Sequence, residues 1–164
     1  MSSKITKSHT FSWQDPISTA KEGLNLGGLE YLRKLLSGEI PPPPMFALMN
    51  ARLLEIEEGR ARFEAEPQEY HYNPIGSVHG GFAATILDSA MGCAIHSLLH
   101  AQVNYTTLEI KINYIRPLTG KTGIVSCEGK AIHVGGRVAT ADGQIIDGNG
   151  NLYAHGTTTC LILK

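Results

Sequence analysis

The stretch that decides the fold runs from residue 79 to residue 99: His-Gly-Gly-Phe-Ala-Ala-Thr-Ile-Leu-Asp-Ser-Ala-Met-Gly-Cys-Ala-Ile-His-Ser-Leu-Leu. It is apolar over most of its length and has no proline, which predicts one long helix, His79 to Leu99. Set Asp88 at zero and turn about 100° per residue. Ala83, Ile86, Leu87, Ala90, Met91, Cys93, Ala94 and Leu98 then fall in one broad arc on the far side. Gly81, Thr85, Asp88, Gly92 and His96 lie within a quarter turn of one another, with Ser89 just beyond, although Ile95 and Leu99 intrude. Such a helix buries most of its circumference and keeps one small, polar stripe. A carboxylate on that stripe is costly unless it is paired, solvated or protonated. Asp88 is therefore a candidate general base or nucleophile, against the plainer reading of an ordinary surface acid.

On either side the patterning changes period. Arg60 to Glu66 alternates polar and apolar residues, which predicts a half-buried strand. Glu58-Gly59 reads as a hairpin turn, with Leu53 to Glu57 as the partner. After the helix, Glu109 to Tyr114 alternates, and Pro117 ends that strand. Three more strands follow at Thr122 to Val134, Arg137 to Ile146 and Leu152 to Leu163. The run Asp147-Gly148-Asn149-Gly150-Asn151 forms the turn between the last two. Asp142-Gly143 reads as a bulge inside one strand rather than a turn. Two strands, one helix and four strands make an α+β domain, an antiparallel sheet packed on a single helix. Further upstream, residues 1–16 are polar and expected to be loose. Leu29, Leu32, Leu35 and Leu36 mark a short amphipathic helix within Leu24 to Leu36. Pro41 to Pro44 should end it as an extended spacer. The expected division is an N-terminal extension, 1–44, and a domain, 45–164.

Bulk composition excludes several classes. The 164 residues suit one domain with a real core, and a net charge of −1 gives no basis for nucleic-acid binding. Cys93, Cys127 and Cys160 are far apart and odd in number, without a CxxC pair. Free thiols fit a reducing cytoplasm. Residues 1–10 lack the apolar core of a secretory signal, and the longest apolar stretch, broken by Asp88 and His96, is too short for a membrane span. No two histidines have HExxH spacing, and His96 with His100 lacks a clear third ligand. Neither a metal nor a cofactor is expected.

The helix start is the second chemical clue. Asn73-Pro74-Ile75-Gly76-Ser77-Val78-His79-Gly80-Gly81 is a loop whose glycines open a helix, where N–H groups lack partners and the dipole is positive. Such a place can hold a developing oxyanion. It lacks the GxxxxGK[ST] spacing of a phosphate loop. Gly80 and Asp88 are eight residues apart, roughly 12 Å along the axis at about 1.5 Å per residue. Catalytic groups work at about 3 Å. If both serve one carbonyl, Gly80 of one subunit faces Asp88 of another, and a homodimer is the minimal active unit. Gly81, Ala84 and Gly92 would let a second backbone approach.

Taken together, Asn73-x-x-Gly76-x-x-His79-Gly80-Gly81 followed by Asp88 resembles the hotdog-fold acyl-CoA thioesterases of the phenylacetate-degradation (PaaI-like) branch. Thr106-Thr107-x-Glu109-Ile110-x-Ile112-Asn113-Tyr114-x-Arg116-Pro117 and Tyr153-Ala154-His155-Gly156-Thr157-Thr158 resemble the strand after its helix and its last strand. The likeness covers residue 45 to the C-terminus. It implies a hotdog fold, an antiparallel sheet wrapped around one long central helix, here with an N-terminal helical extension. It implies a homodimer, often doubled to a homotetramer. It also implies hydrolysis of an acyl-CoA thioester to a free acid and coenzyme A. In that family pattern Asp88 is nucleophile or general base, the Gly80 N–H polarises the carbonyl, and Asn73 positions water or carbonyl. Thr107, or Thr106 if the alignment slips by one, places a hydroxyl near the carboxylate, and His79 is a neighbour of the site. Gly81, Val134, Gly136 and Arg137 would contact substrate, the last three in a segment that meets the coenzyme A arm. Many relatives carry a second arginine where Gly136 stands. Arg137 and Arg116 are the candidates for phosphate contacts. Phe82, Ile86 and Leu87 suit either an aromatic or a medium-chain acyl group.

Two other readings share the fold. A hotdog hydratase or dehydratase would need an Asp–His pair in a different loop. A non-catalytic acyl-CoA-binding module would have no need of a buried carboxylate beside the carbonyl site.

Overall fold

A computed structural model describes residues 5–164. Six strands carry the fold around the long helix, α4, Gly80–His96: β1, Ala51–Glu57, and β2, Arg60–Ala65, before it, and β3, Asn104–Tyr114, β4, Val125–Val134, β5, Val138–Asp147, and β6, Leu152–Leu163, after it. The six strands form one antiparallel sheet in the order β1-β2-β4-β5-β6-β3. Glu58-Gly59 makes the hairpin turn, with Gly59 at φ 72°, where a glycine carries no steric penalty. The expected α+β, hotdog-type arrangement is what the chain adopts.

The core lies between α4 and the inner face of the sheet. Phe63, Leu87, Met91, Ile95 and Ile145 are fully buried there. Two glycines set how close the helix comes. A Cβ on Gly129 of β4 would stand 2.4 Å from the Ala90 carbonyl, so helix backbone lies directly on strand backbone. A Cβ on Gly143 of β5 would meet the Met91 side chain at 3.0 Å. That is why Asp142-Gly143 is neither turn nor bulge: the ladder pairs Gly129 with Gly143 and Lys130 with Asp142 without interruption. The real irregularities fall elsewhere: between Leu53 and Glu55 in β1, Thr107 and Glu109 in β3, Ala131 and His133 in β4, and at Ile145/Ile146 where β5 meets β6.

The helix ends at His96, three residues before the expected end. Ser97 donates its hydroxyl to the Ala94 carbonyl and accepts from the Gly59 N–H, so it ties the helix end to the β1–β2 turn. Leu98, expected on the buried arc, is 40% exposed in consequence.

The extension holds more structure than its sequence suggested. Residues 1–4 of the expected loose stretch lie outside the described residues. Residues 5–15 have no helix or strand, yet Lys7 pairs with Glu69 and His9 stacks on Tyr70 at 4.1 Å. Asp15 caps α1, Pro16–Gly23, through the Ile17 and Ser18 N–H groups. Next comes α2, Gly28–Ser37, the expected amphipathic helix, with Leu32 buried and Gly38 closing it at φ 82°. Its first residue touches α4: Gly28 donates to the Leu99 carbonyl, and a Cβ there would sit 1.8 Å from the His96 carbonyl oxygen. The proline run is a spacer only as far as Pro43. Pro44 starts a short helix, α3, Pro44–Leu48, because proline suits the first helical position. The expected boundary at 44/45 thus falls within the first turn of α3. Phe46 of α3 packs edge-on against Phe63 at 5.1 Å.

Candidate functional site

Asp88 sits midway along α4, half-buried, on the stripe that faces β3. Thr107 Oγ1 donates a 2.9 Å hydrogen bond to Asp88 Oδ1. Of the two threonines left open by the sequence, Thr107 is thus the one that meets the carboxylate, and Thr106 is exposed. The bulge after Thr107 causes this. Upstream of it, Tyr105 and Thr107 point to the helix; downstream, Ile110 and Ile112 do, and the parity has switched. Leu108, at the bulge, is left 58% exposed.

The start of α4 is built by the loop before it. His79 is the helix cap, and its Nδ1 accepts from the Gly81 N–H at 2.8 Å. The His79 carbonyl takes the Phe82 N–H, and the His79 N–H goes to the His71 carbonyl. These bonds leave the Gly80 N–H without a partner among the described residues. Gly81 keeps its N–H for His79, so only Gly80 offers an open donor at this end. His71 is held by the Gln68 N–H on Nδ1 and the Leu48 carbonyl near Nε2. Burial lowers its pKa first of all, so the imidazole stays neutral and the loop keeps its shape.

Asn73 is placed differently from what its expected role would need. Its Oδ1 accepts from the Ile75 and Ser77 N–H groups, and its Nδ2 donates to Ser77 Oγ. The amide therefore closes the loop that delivers the helix start.

Gly80 and Asp88 do not meet within the chain. Gly80 lies against Tyr114, whose hydroxyl donates to the Gly80 carbonyl, while Asp88 lies against Thr107, seven residues back along β3. A cleft of about 330 Å³ opens at the Gly80 end, lined by Val78, Ala83, Tyr114, Ile115, Leu118 and Tyr153 among others. Arg116 borders it and donates to the Leu152 carbonyl. At the other end, Thr107 pairs with Cys160, Cys160 with Ala139, and Ala139 with Val134. That row brings the exposed turn residues Gly136 and Arg137 to the Asp88 side, while Val134 packs against the core. Lys164, which no motif singles out, has its ammonium 3.9 Å from where a Gly136 Cβ would be. Proximity of the chain terminus to that turn has no signature in sequence.

The surroundings of the carboxylate are apolar enough to act on its neighbours. Burial, and then the Asp88 charge, push the Cys93 thiol up to about 12. Burial also raises Cys127, and raises Cys160, which lies 3.9 Å from the Thr107 hydroxyl. All three thiols are free. Since the thiolate is the reactive form, the folded protein should not react with a disulfide reagent at pH 8. Colorimetric titration should find three equivalents only after denaturant is added. Rapid labelling of Cys93, the one thiol of the three with part of its surface exposed, would contradict that elevation.

Among the described residues, no three His, Cys, Asp or Glu side chains come together as a metal site requires. No helix there is long and apolar enough to cross a membrane.

Comparison with known proteins bears on the fold and the family. Residues 75–154 match the family model of the thioesterase superfamily. A Saccharolobus solfataricus protein, named as an esterase by inference, is 28% identical over 120 residues, 73% of this chain and 84% of that one. The 1,4-dihydroxy-2-naphthoyl-CoA hydrolase of Listeria monocytogenes is 23% identical, covering 68% of this chain and 89% of its own. Among solved structures, a phenylacetic acid degradation-related protein from Ralstonia eutropha JMP134 superposes with a TM-score of 0.72. It is 22% identical, over 80% of this chain and 98% of that one. With its hotdog sheet and central helix, this chain carries a thioesterase-superfamily domain over residues 75–154 and is a thioester hydrolase.

Proposed function

We propose that the chain hydrolyses acyl-coenzyme A thioesters at sites shared between two copies, Asp88 from one and the Gly80 N–H from the other. The observation that carries this reading is the separation of an anchored carboxylate from the one open N–H donor. Each alone is half of a hydrolytic site. β3 lies at the edge of the sheet, so its outer backbone groups are available to pair with a second copy. Antiparallel pairing of β3 with itself brings the Thr107 end of one strand towards the Tyr114 end of the other. The Gly80 N–H then polarises the thioester carbonyl while Asp88 acts on the carbon, directly or by taking a proton from water. Carbon–sulfur cleavage releases coenzyme A as a thiolate: with Asp88 as base, water's oxygen has bonded to the carbon and the thiolate takes up the proton Asp88 removed; with Asp88 as nucleophile, water then hydrolyses the acyl-aspartyl anhydride and supplies that proton. Thr107 fixes the carboxylate through Oδ1 and leaves Oδ2 for the reaction. The same pairing brings Arg116 of one copy near the Arg137–Lys164 turn of the other. Those cations suit the phosphates of coenzyme A, the carrier in the Listeria relative's substrate.

Mixed dimers test it. Asp88→Asn and Gly80→Pro are each inactive as homodimers, the second because proline has no N–H yet fits the first helical position. Refolded together in equal amounts, they should regain about a quarter of wild-type turnover, since half the dimers are mixed and each of those has one intact site. No recovery in proven mixed dimers would place the whole site within one chain.

A further inference from the structure

β3 runs antiparallel to α4, and three contacts along it mark out the site. Tyr114 lies over Gly80, Thr107 over Asp88, and Tyr105 over Gly92. Around Asp88 and towards the helix start the stripe is small, and its hydroxyls are spent on the helix itself. Thr85 donates to the Gly81 carbonyl and Ser89 to the Thr85 carbonyl, which leaves mainly hydrocarbon facing outward. Towards the helix end the stripe is walled off. A Cβ on Gly92 would stand 2.6 Å from the Tyr105 hydroxyl, so the phenol lies flat on the helix backbone and leaves no passage. His96 follows, its ring 5.7 Å from Tyr105, and Tyr31 of α2 comes next, 5.6 Å from His96. Beyond these rings lies a cavity of about 130 Å³, lined by Leu24, Tyr31, His96 and Val103 among others. The partition carries no charge. Burial, then Cys93 and Asp88, raise the Tyr105 phenol well above its ordinary pKa, and burial lowers that of His96.

We propose that Tyr105 is the stop that sets the length of acyl group accepted at Asp88, held in place by His96 and by Tyr31 of the N-terminal extension. The proposal rests on the acyl-coenzyme A reading above and names its substrate class. The four residues from Asp88 to Gly92 span roughly 6 Å. That depth suits a short-chain or single-ring acyl group and excludes a long aliphatic chain. Removing the phenol lengthens the space beyond Asp88 by the volume of that ring, as far as His96 and Tyr31. Tyr105 is a specificity residue, while Tyr31 and His96 are positioning residues that act through it.

The test uses the full-length protein and a series from acetyl- to dodecanoyl-CoA, with two readouts. Thiol release reports hydrolysis. Calorimetric binding of S-alkyl-CoA thioethers of the same lengths reports the fit without any chemistry. Tyr105→Ala should raise the dodecanoyl-to-butanoyl ratio of kcat/KM by about tenfold or more, the scale of a methylene's worth in an apolar pocket. Thioether binding should shift the same way. Tyr105→Phe keeps the ring and should keep the wild-type profile. Tyr31→Ala should shift the profile in the same direction by less. If Tyr105→Ala does not fold, Tyr105→Leu opens part of the same space. An unchanged length profile in a folded Ala or Leu variant overturns the proposal. Normal thioether binding with no hydrolysis by the wild type would count against the catalytic reading alone, because the binding profile still reports the stop. Thioether binding at no length by any variant would overturn both.

Discussion

Asp88→Asn should lower kcat for acyl-coenzyme A hydrolysis by about 10²–10⁴-fold, the range for loss of a positioned general base, and leave the folded state intact. The asparagine carbonyl can still accept from Thr107 Oγ1, now 2.9 Å from Asp88 Oδ1, so the helix stripe keeps its shape. What is lost is the negative charge that attacks the carbonyl or takes water's proton. KM should move less than kcat, because the change removes an interaction made in the transition state. Thiol release over an acyl-CoA panel measures the effect, and the protein's own three thiols should not interfere, being held protonated by burial. Wild-type turnover in the variant would remove Asp88 from the mechanism. Low turnover together with a lost thermal transition would mean a fold defect instead, so both measurements belong to the test.

Gly129→Val carries the largest expected cost in stability. Gly129 sits in the middle of β4 against the Ala90–Met91 peptide of α4, with no room even for a methyl group. Backbone on both sides means that no side chain can rotate away, and the helix itself must lift from the sheet. Overpacking a core costs about 1–3 kcal/mol when side chains can adjust. Here the cost should reach or pass the top of that range, a fall in Tm of about 6–12 °C for a chain of this size. Gly143→Ala is the comparison. Its added methyl meets Met91 Cγ, Leu87 Cδ2 and the Glu128 carbonyl at 3.0–3.2 Å, contacts that partly yield, so its Tm should fall by much less. Equal losses in the two variants would show that strand propensity, and not helix contact, sets the cost.

How much of this was legible in the sequence depends on whether the signal was local. Apolar periodicity around Asp88 and the alternation of Arg60 to Glu66 are local, and both elements formed there, the helix stopping three residues early and the strand one. The β3 start was missed by five residues because its alternation breaks at Leu108. Counting by twos back from Ile112 arrives at Thr106, whereas the bulge turns Thr107 to the helix. The bulge is a property of the pairing with β6, which a single strand's sequence does not display. Helices α1 and α3 did have local signals, Asp15-Pro16 and Pro43-Pro44, each a proline placed at a helix start. They were outweighed by polarity in one case and by the run of four prolines in the other. Asn73 shows the opposite limit. Its family position was readable, but the closure of its amide onto Ile75 and Ser77 is a matter of loop geometry. The Tyr31–His96–Tyr105 series joins three segments distant in sequence, and nothing in any one of them announces the others.

The bare contact of Gly28 with the last turn of α4 has a practical consequence for anyone trimming this protein to its family-matching part. Cutting before β1 removes α2 from the Leu99 carbonyl and strips the cover from His96, Leu99 and Val103. The shortened polypeptide would bring greasy, unpaired groups to its surface at the end of its principal helix. Poor yield from such a fragment would then reflect a missing buttress and say nothing about the hydrolytic centre.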